Sequence, residues 1–238
     1  MNKSILALNK SVLYGPVNSR RLGRSLGINV LSSEIKICSL NCLYCQYGHT
    51  TVHQEELFNE SNFLPVAKIV EAVKAGLSNQ YPLPDYITFS GNGEATLHPA
   101  FPYLVDAVIK LRDQYCPQTK TAILSNGTQV LQKPVRDAIN KLDQKIVKLD
   151  CAEIGLFIRY NRPVIKFDFE KMIAIFQTMP NLLIQSLFTG GLGGNYYSEH
   201  LEIWLKTIAY LKPLMVQIYS LDRGYQSDKI TSLTRDAM

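Results

Sequence analysis

The chain has 238 residues, 46% hydrophobic and 19% charged, with a formal net charge of +5. That apolar share excludes an intrinsically disordered chain, and five cysteines, an odd and sparse set, exclude a secreted disulfide framework. The positive excess contains no block of five like charges and hence no basic arm, so it admits an anionic partner without specifying one.

From the N-terminus, a short apolar patch is cut by Asn9 and Lys10, which does not read as a signal peptide. No stretch approaches the roughly 18 apolar residues of a membrane span. The expectation is a cytoplasmic protein with no membrane partner. Strand-length, β-branched runs then recur at Leu26–Leu31, Tyr86–Phe89, Thr121–Leu124, Lys145–Leu149, Leu182–Leu187 and Leu214–Tyr219. Their near-continuous apolar character suits strands buried on both faces of a parallel sheet. Helical spacing fills the gaps at Val66–Leu77, Tyr103–Leu111, Val135–Leu142, Phe169–Gln177 and Ser198–Leu211.

Alternating strands and helices predict a parallel α/β fold. Six strands are too few for a closed eight-stranded barrel, and a long early loop (about 32–63) takes up chain, so a (βα)6 partial barrel is expected. We read residues 1–238 as a single domain with a polar tail at about 223–238. Each strand runs into polar or Gly-rich residues at its C-terminal end, the edge where parallel α/β folds place their chemistry.

The sharpest motif is Cys38-x3-Cys42-x2-Cys45. Three soft thiolates within eight residues can converge on one metal centre. Structural zinc would need a fourth ligand, for which His49 and His53 are the nearby candidates. Further along, Gly91-Asn92-Gly93-Glu94 follows the second run; glycines there permit close backbone approach, and Glu94 can accept hydrogen bonds from an ammonium group. Ser125-Asn126-Gly127-Thr128 offers hydroxyl and amide groups beside a turn. Lys148 and Asp150 share one face of the fourth run and can serve either as ligand contacts or as a structural ion pair. Cys151 reads as a small buried hydrophobe and Cys116 as incidental. None of the four histidines falls in an HxH or HExxH pattern, and none is assigned to metal.

Together with the stretches GPVNSRRLGRSLGINV, CSLNCLYCQYG, ITFSGNGEATLHP, AILSNGT, Asn161-Arg162-Pro163 and VQIYSLDR, the cysteine spacing resembles the radical S-adenosylmethionine (radical SAM) superfamily. It is especially similar to the iron–sulfur oxidoreductase branch of the wyosine-forming tRNA-modifying enzymes. The resemblance implies a [4Fe–4S] cluster on Cys38, Cys42 and Cys45, with one iron left open for S-adenosyl-L-methionine. It implies further cofactor contacts from Tyr44, Gly91, Gly93, Glu94, Ser125, Asn126 and Asp150. The implied activity is reductive cleavage to a 5′-deoxyadenosyl radical that abstracts hydrogen from a substrate, fed by a one-electron donor such as flavodoxin or ferredoxin. RNA, a peptide or a small molecule are the substrate classes. The alternatives are a radical activase or peptide-modifying maturase, and a zinc-stabilised binding module without catalysis.

Overall fold

The structure is a computed structural model that describes residues 5–31, 34–78 and 82–237. Its single sheet runs β1 (Leu13–Ser19), β2 (Gly23–Ile28), β3 (Tyr86–Phe89), β4 (Lys120–Ser125), β5 (Gln144–Lys148), β6 (Leu182–Leu187) and β7 (Met215–Tyr219), in that spatial order. β2 to β7 are parallel neighbours, the six strands of the expected partial barrel. The crossovers are α1 (Val66–Ser78), α2 (Phe101–Tyr115), α3 (Lys133–Asn140), the pair α4 (Ile154–Tyr160) and α5 (Phe169–Thr178), and α6 (Ser198–Leu211).

Two elements differ from the sequence reading. β1 is a seventh strand, antiparallel to β2. Its residues, LYGPVNS, carry a Gly and a Pro and stay largely exposed, the composition of an edge strand rather than a buried one. Because β1–β2 is a hairpin, the first predicted run begins earlier, at Gly23, and Asn29–Leu31 lies beyond the strand. Helix α4 is too short for its periodicity to be read with confidence, yet Leu156, Phe157 and Tyr160 bury one face of it.

The main core lies between the sheet and its helices, where Ile28, Ile87, Phe89 and Ile123 meet Ile69, Phe101, Leu104 and Phe176. A smaller cluster of Leu22, Ala122, Ile146 and Leu183 draws the turn after β1 against side chains of β4, β5 and β6. That turn also faces β7: Arg20 pairs with Asp222 and Arg21 lies over the Tyr219 ring at 5.2 Å. The first and last strands are thereby linked by side chains. The polar tail has no helix among its described residues; it folds back through a Gly190–Thr231 bridge and buries Ile230. Among the described residues no helix is long and apolar enough to cross a membrane.

Candidate active site

The segment between β2 and α1 carries all three motif cysteines, half-buried and free. Backbone bonds fasten it on two sides. On one, Ile37 makes a parallel bridge to Gly93, donating to the Asn92 carbonyl (3.2 Å) and accepting from the Glu94 N–H (2.9 Å). On the other, Leu40 bridges to Pro163, and the Asn41 N–H donates to the carbonyls of Asn161 (3.1 Å) and Arg162 (2.9 Å). Gly93 has φ +153°, and a Cβ there would overlap the Ile37 carbonyl. What approaches this glycine closely is therefore the cysteine loop itself.

Beside the β3 side lies Glu94, buried at the start of a 3-10 turn. One carboxylate oxygen accepts from Ser125 Oγ (2.8 Å), Thr96 Oγ1 (2.6 Å) and the Thr96 N–H (3.2 Å); the other accepts from the Asn126 N–H (2.6 Å). Asn126 then reaches the cysteine loop, its side-chain amide donating to Ser39 Oγ (2.9 Å) and Cys38 Sγ (3.6 Å). Burial pushes the Glu94 carboxyl above its ordinary value, against the pull of these neutral donors. Among the described residues no cationic side chain pairs with it.

Across the loop lies Asp150, just beyond β5 and equally buried. Its Oδ1 pairs with Lys148 Nζ (2.9 Å) and accepts from the Leu187 N–H (2.8 Å). Its Oδ2 accepts from the Tyr44 hydroxyl and from Asn161 Nδ2 (2.8 Å). Asn161 also donates to Cys42 Sγ (3.4 Å). Lys148 lies over the rings of Tyr44 (5.0 Å) and Tyr219 (4.7 Å). Burial alone would lower this ammonium, but Asp150 and Tyr219 outweigh burial and hold it above its usual value. Lys148 and Asp150 thus form an ion pair, which their shared strand face allows.

Sequence comparison matches residues 35–179 to the Radical SAM superfamily model. The chain belongs to the radical SAM superfamily. It is 32% identical to UPF0026 protein slr1464 from Synechocystis sp. over 87% of this chain and 74% of that one. Two further curated relatives are matched over only 34% and 50% of their own length. Among solved structures it is similar to SuiB of Streptococcus suis bound to S-adenosylmethionine (TM-score 0.60, 16% identity, 84% of this chain and 42% of that one). It is also similar to TYW1 with a lysine-pyruvate adduct (0.54, 16%, 90% and 70%). At such identities these two structures speak for the fold.

Radical SAM enzymes use a [4Fe–4S] cluster and S-adenosylmethionine, and they need an electron donor. The residues present fit the cluster. Three thiols share one fastened loop, and two receive side-chain amide N–H groups, the kind of hydrogen bond that tunes cluster thiolates. Burial pushes the thiol of Cys38 up to about 12 and that of Cys42 to about 11, so loading iron there must displace protons.

Sequence reasoning gave Asn161 no role, although it touches Cys42 and Asp150; only its place in the Asn161-Arg162-Pro163 stretch drew notice. Lys36 went unnoticed for want of any motif, and its ammonium is buried among the cysteines. The arginines have different partners. Arg24 donates to the Leu83 carbonyl, away from the pairings of Arg20 and Arg21. Arg159 and Arg162 line a separate groove of about 530 Å³ with Leu43, Leu192, Tyr197 and Lys229. Cys116 and Cys151 are fully buried. Histidines 98 and 200 are buried and hydrogen-bonded to main-chain carbonyls, which is a packing role.

Proposed function

We propose that this radical SAM enzyme is an oxidoreductase whose cluster is held by Cys38, Cys42 and Cys45. When bound, cluster and S-adenosylmethionine supply one-electron cleavage of the sulfonium and, from it, hydrogen-atom abstraction. The chain's own residues bind, orient and shield. Glu94 receives the ammonium of the methionine moiety, with Ser125 and Asn126 fixing the carboxylate's direction. Gly91 and Gly93 let the strand end and the cysteine loop pack closely around that carboxylate. Asp150, fixed by Tyr44 and Lys148, forms the opposite wall. The single observation that carries this reading is a buried carboxylate with no cationic partner among the described residues, tied through Asn126 to a motif cysteine.

Residues 1–238 act as one domain in this reading, with the cysteine loop and the folded-back tail covering the strand ends. The acceptor we infer is RNA, supported by the resemblance to the wyosine-forming branch and the net charge of +5. Electrons come from a carrier of the flavodoxin or ferredoxin class. The test is anaerobic reconstitution followed by assay of 5′-deoxyadenosine formation. Native protein is expected to bind iron and sulfide and cleave the cofactor, and Cys42→Ala to lose that cleavage entirely. Full cleavage by Cys42→Ala would overturn the ligand assignment. Deuterated RNA that passes no label into 5′-deoxyadenosine, where a deuterated peptide does, would overturn the acceptor.

A further inference from the structure

Lys36 lies two residues before the first motif cysteine and is almost wholly buried, with 5% of its surface exposed. Its ammonium donates to the Gly48 carbonyl at 2.8 Å. The Cys45–Gly48 turn, closed by the Gly48 N–H on the Cys45 carbonyl (3.1 Å), wraps around it. Among the described residues no carboxylate pairs with it. A buried ammonium held by a carbonyl is costly to keep, since burying a charge without a counter-charge is strongly unfavourable. Thiolates ligating iron would supply that counter-charge.

We propose that Lys36 is a positioning residue that places a fixed positive charge against the three-cysteine site and thereby raises the reduction potential of the cluster held there. The inference rests on the ligand assignment above. Reduction adds one negative charge to the cluster, and a cation buried a short distance away favours the more negative state, with little water to screen it. Its directional bond to the Gly48 carbonyl keeps that charge in place.

The test is an EPR-monitored redox titration of reconstituted full-length protein without S-adenosylmethionine, comparing native protein with Lys36→Met, Lys36→Gln and Lys36→Arg. Iron and sulfide content is measured on every sample. Lys36→Met and Lys36→Gln are expected to load iron, with the reduced-to-oxidised ratio at the native midpoint falling about tenfold, a downward shift of about 59 mV. Lys36→Arg, which keeps the charge, is expected to stay within about twofold of native. An unchanged or raised potential in loaded Lys36→Met or Lys36→Gln overturns the proposal. So does a pattern in which both fail to load while Lys36→Arg loads, because Lys36 would then be a clamp on the loop. Native protein that takes up no iron would instead overturn the ligand assignment, and this inference with it.

Discussion

The cysteine loop is gripped by two carboxylates that look alike and differ in charge balance. Glu94 on the β3–β4 side and Asp150 on the β5–β6 side are both buried, and each reaches a motif cysteine through an asparagine: Asn126 to Cys38, Asn161 to Cys42. Asp150 has its cation in Lys148, 2.9 Å away and capped by two tyrosine rings. Glu94 has hydroxyl and amide donors only. A closed ion pair has no need of a ligand. A carboxylate kept buried with neutral donors, its carboxyl pushed up by burial, is relieved when an ammonium group arrives. In the function proposed above, one flank holds the fold and the other binds. Lys36 is the opposite-signed counterpart of Glu94, a buried cation whose counter-charge would come from the cluster.

The largest expected effect in the apoprotein comes from unbalancing the closed flank. Lys148→Met leaves Asp150 buried without its cation, a situation that typically costs about 3–5 kcal/mol. Adding Asp150→Asn removes the stranded charge and should restore most of that loss, because replacing both members of a buried pair is often nearly neutral. Denaturant unfolding of the two variants and native protein checks this. If the double variant were no more stable than Lys148→Met, the flank would be held by contacts other than the ion pair.

On the open flank the same kind of change should act on binding instead. Glu94→Gln keeps the shape but removes the charge that would meet an ammonium. An ammonium–carboxylate hydrogen bond contributes about 1.5–3 kcal/mol, so the affinity for S-adenosylmethionine should fall roughly 10- to 100-fold. Stability of the apoprotein should fall by only about 1–3 kcal/mol, because one accepting oxygen is replaced by an NH2 group but no cation is stranded. Calorimetric titration of the reconstituted protein and denaturant unfolding of the apoprotein separate the two. Unchanged affinity with a large stability loss would make the flanks equivalent and sink the distinction.

Much of this arrangement was legible in the sequence, for identifiable reasons. Strands buried on both faces announce themselves as apolar runs, so Tyr86–Phe89 and Leu182–Leu187 fall where their residues indicate. β1 was not legible because an exposed strand with Gly15 and Pro16 has no such pattern. In the site, the cysteine spacing is local and readable, as is the turn chemistry of Gly93-Glu94 and Ser125-Asn126. Asn161 and Lys36 act through contacts set by the fold, with Asn161 119 residues from Cys42, and neither side chain carries a spacing signal. The ion pair of Lys148 with Asp150 likewise depended on distances that strand periodicity does not supply.

The smallest expected effect uses the buried histidine attached to each flank. His98 follows the Glu94 turn, its Nε2 donating to the Leu64 carbonyl (3.0 Å) and its Nδ1 accepting from the Ala100 N–H (3.1 Å). His200 donates from Nε2 to the Asp150 carbonyl (3.1 Å), and its buried Nδ1 has no partner among the described residues. Burial lowers both imidazoles below the ordinary value near 6.5. The unfolded chain therefore takes up these protons first as pH falls. Their contribution to stability is present above about pH 6.5 and is lost as pH drops through the lowered folded values. Glu94 acts with the opposite sign: its raised carboxyl favours the folded state below the ordinary carboxylate value of 4.5, a contribution lost as pH rises through the folded value. Measured in the Glu94→Gln background, which removes that opposing effect, the denaturation midpoint should fall between about pH 7.5 and 5.5. His98→Asn should flatten that slope less than His98→Asn combined with His200→Gln, because each imidazole contributes separately. A midpoint independent of pH across this range in the Glu94→Gln protein would mean that neither flank is held by a neutral histidine.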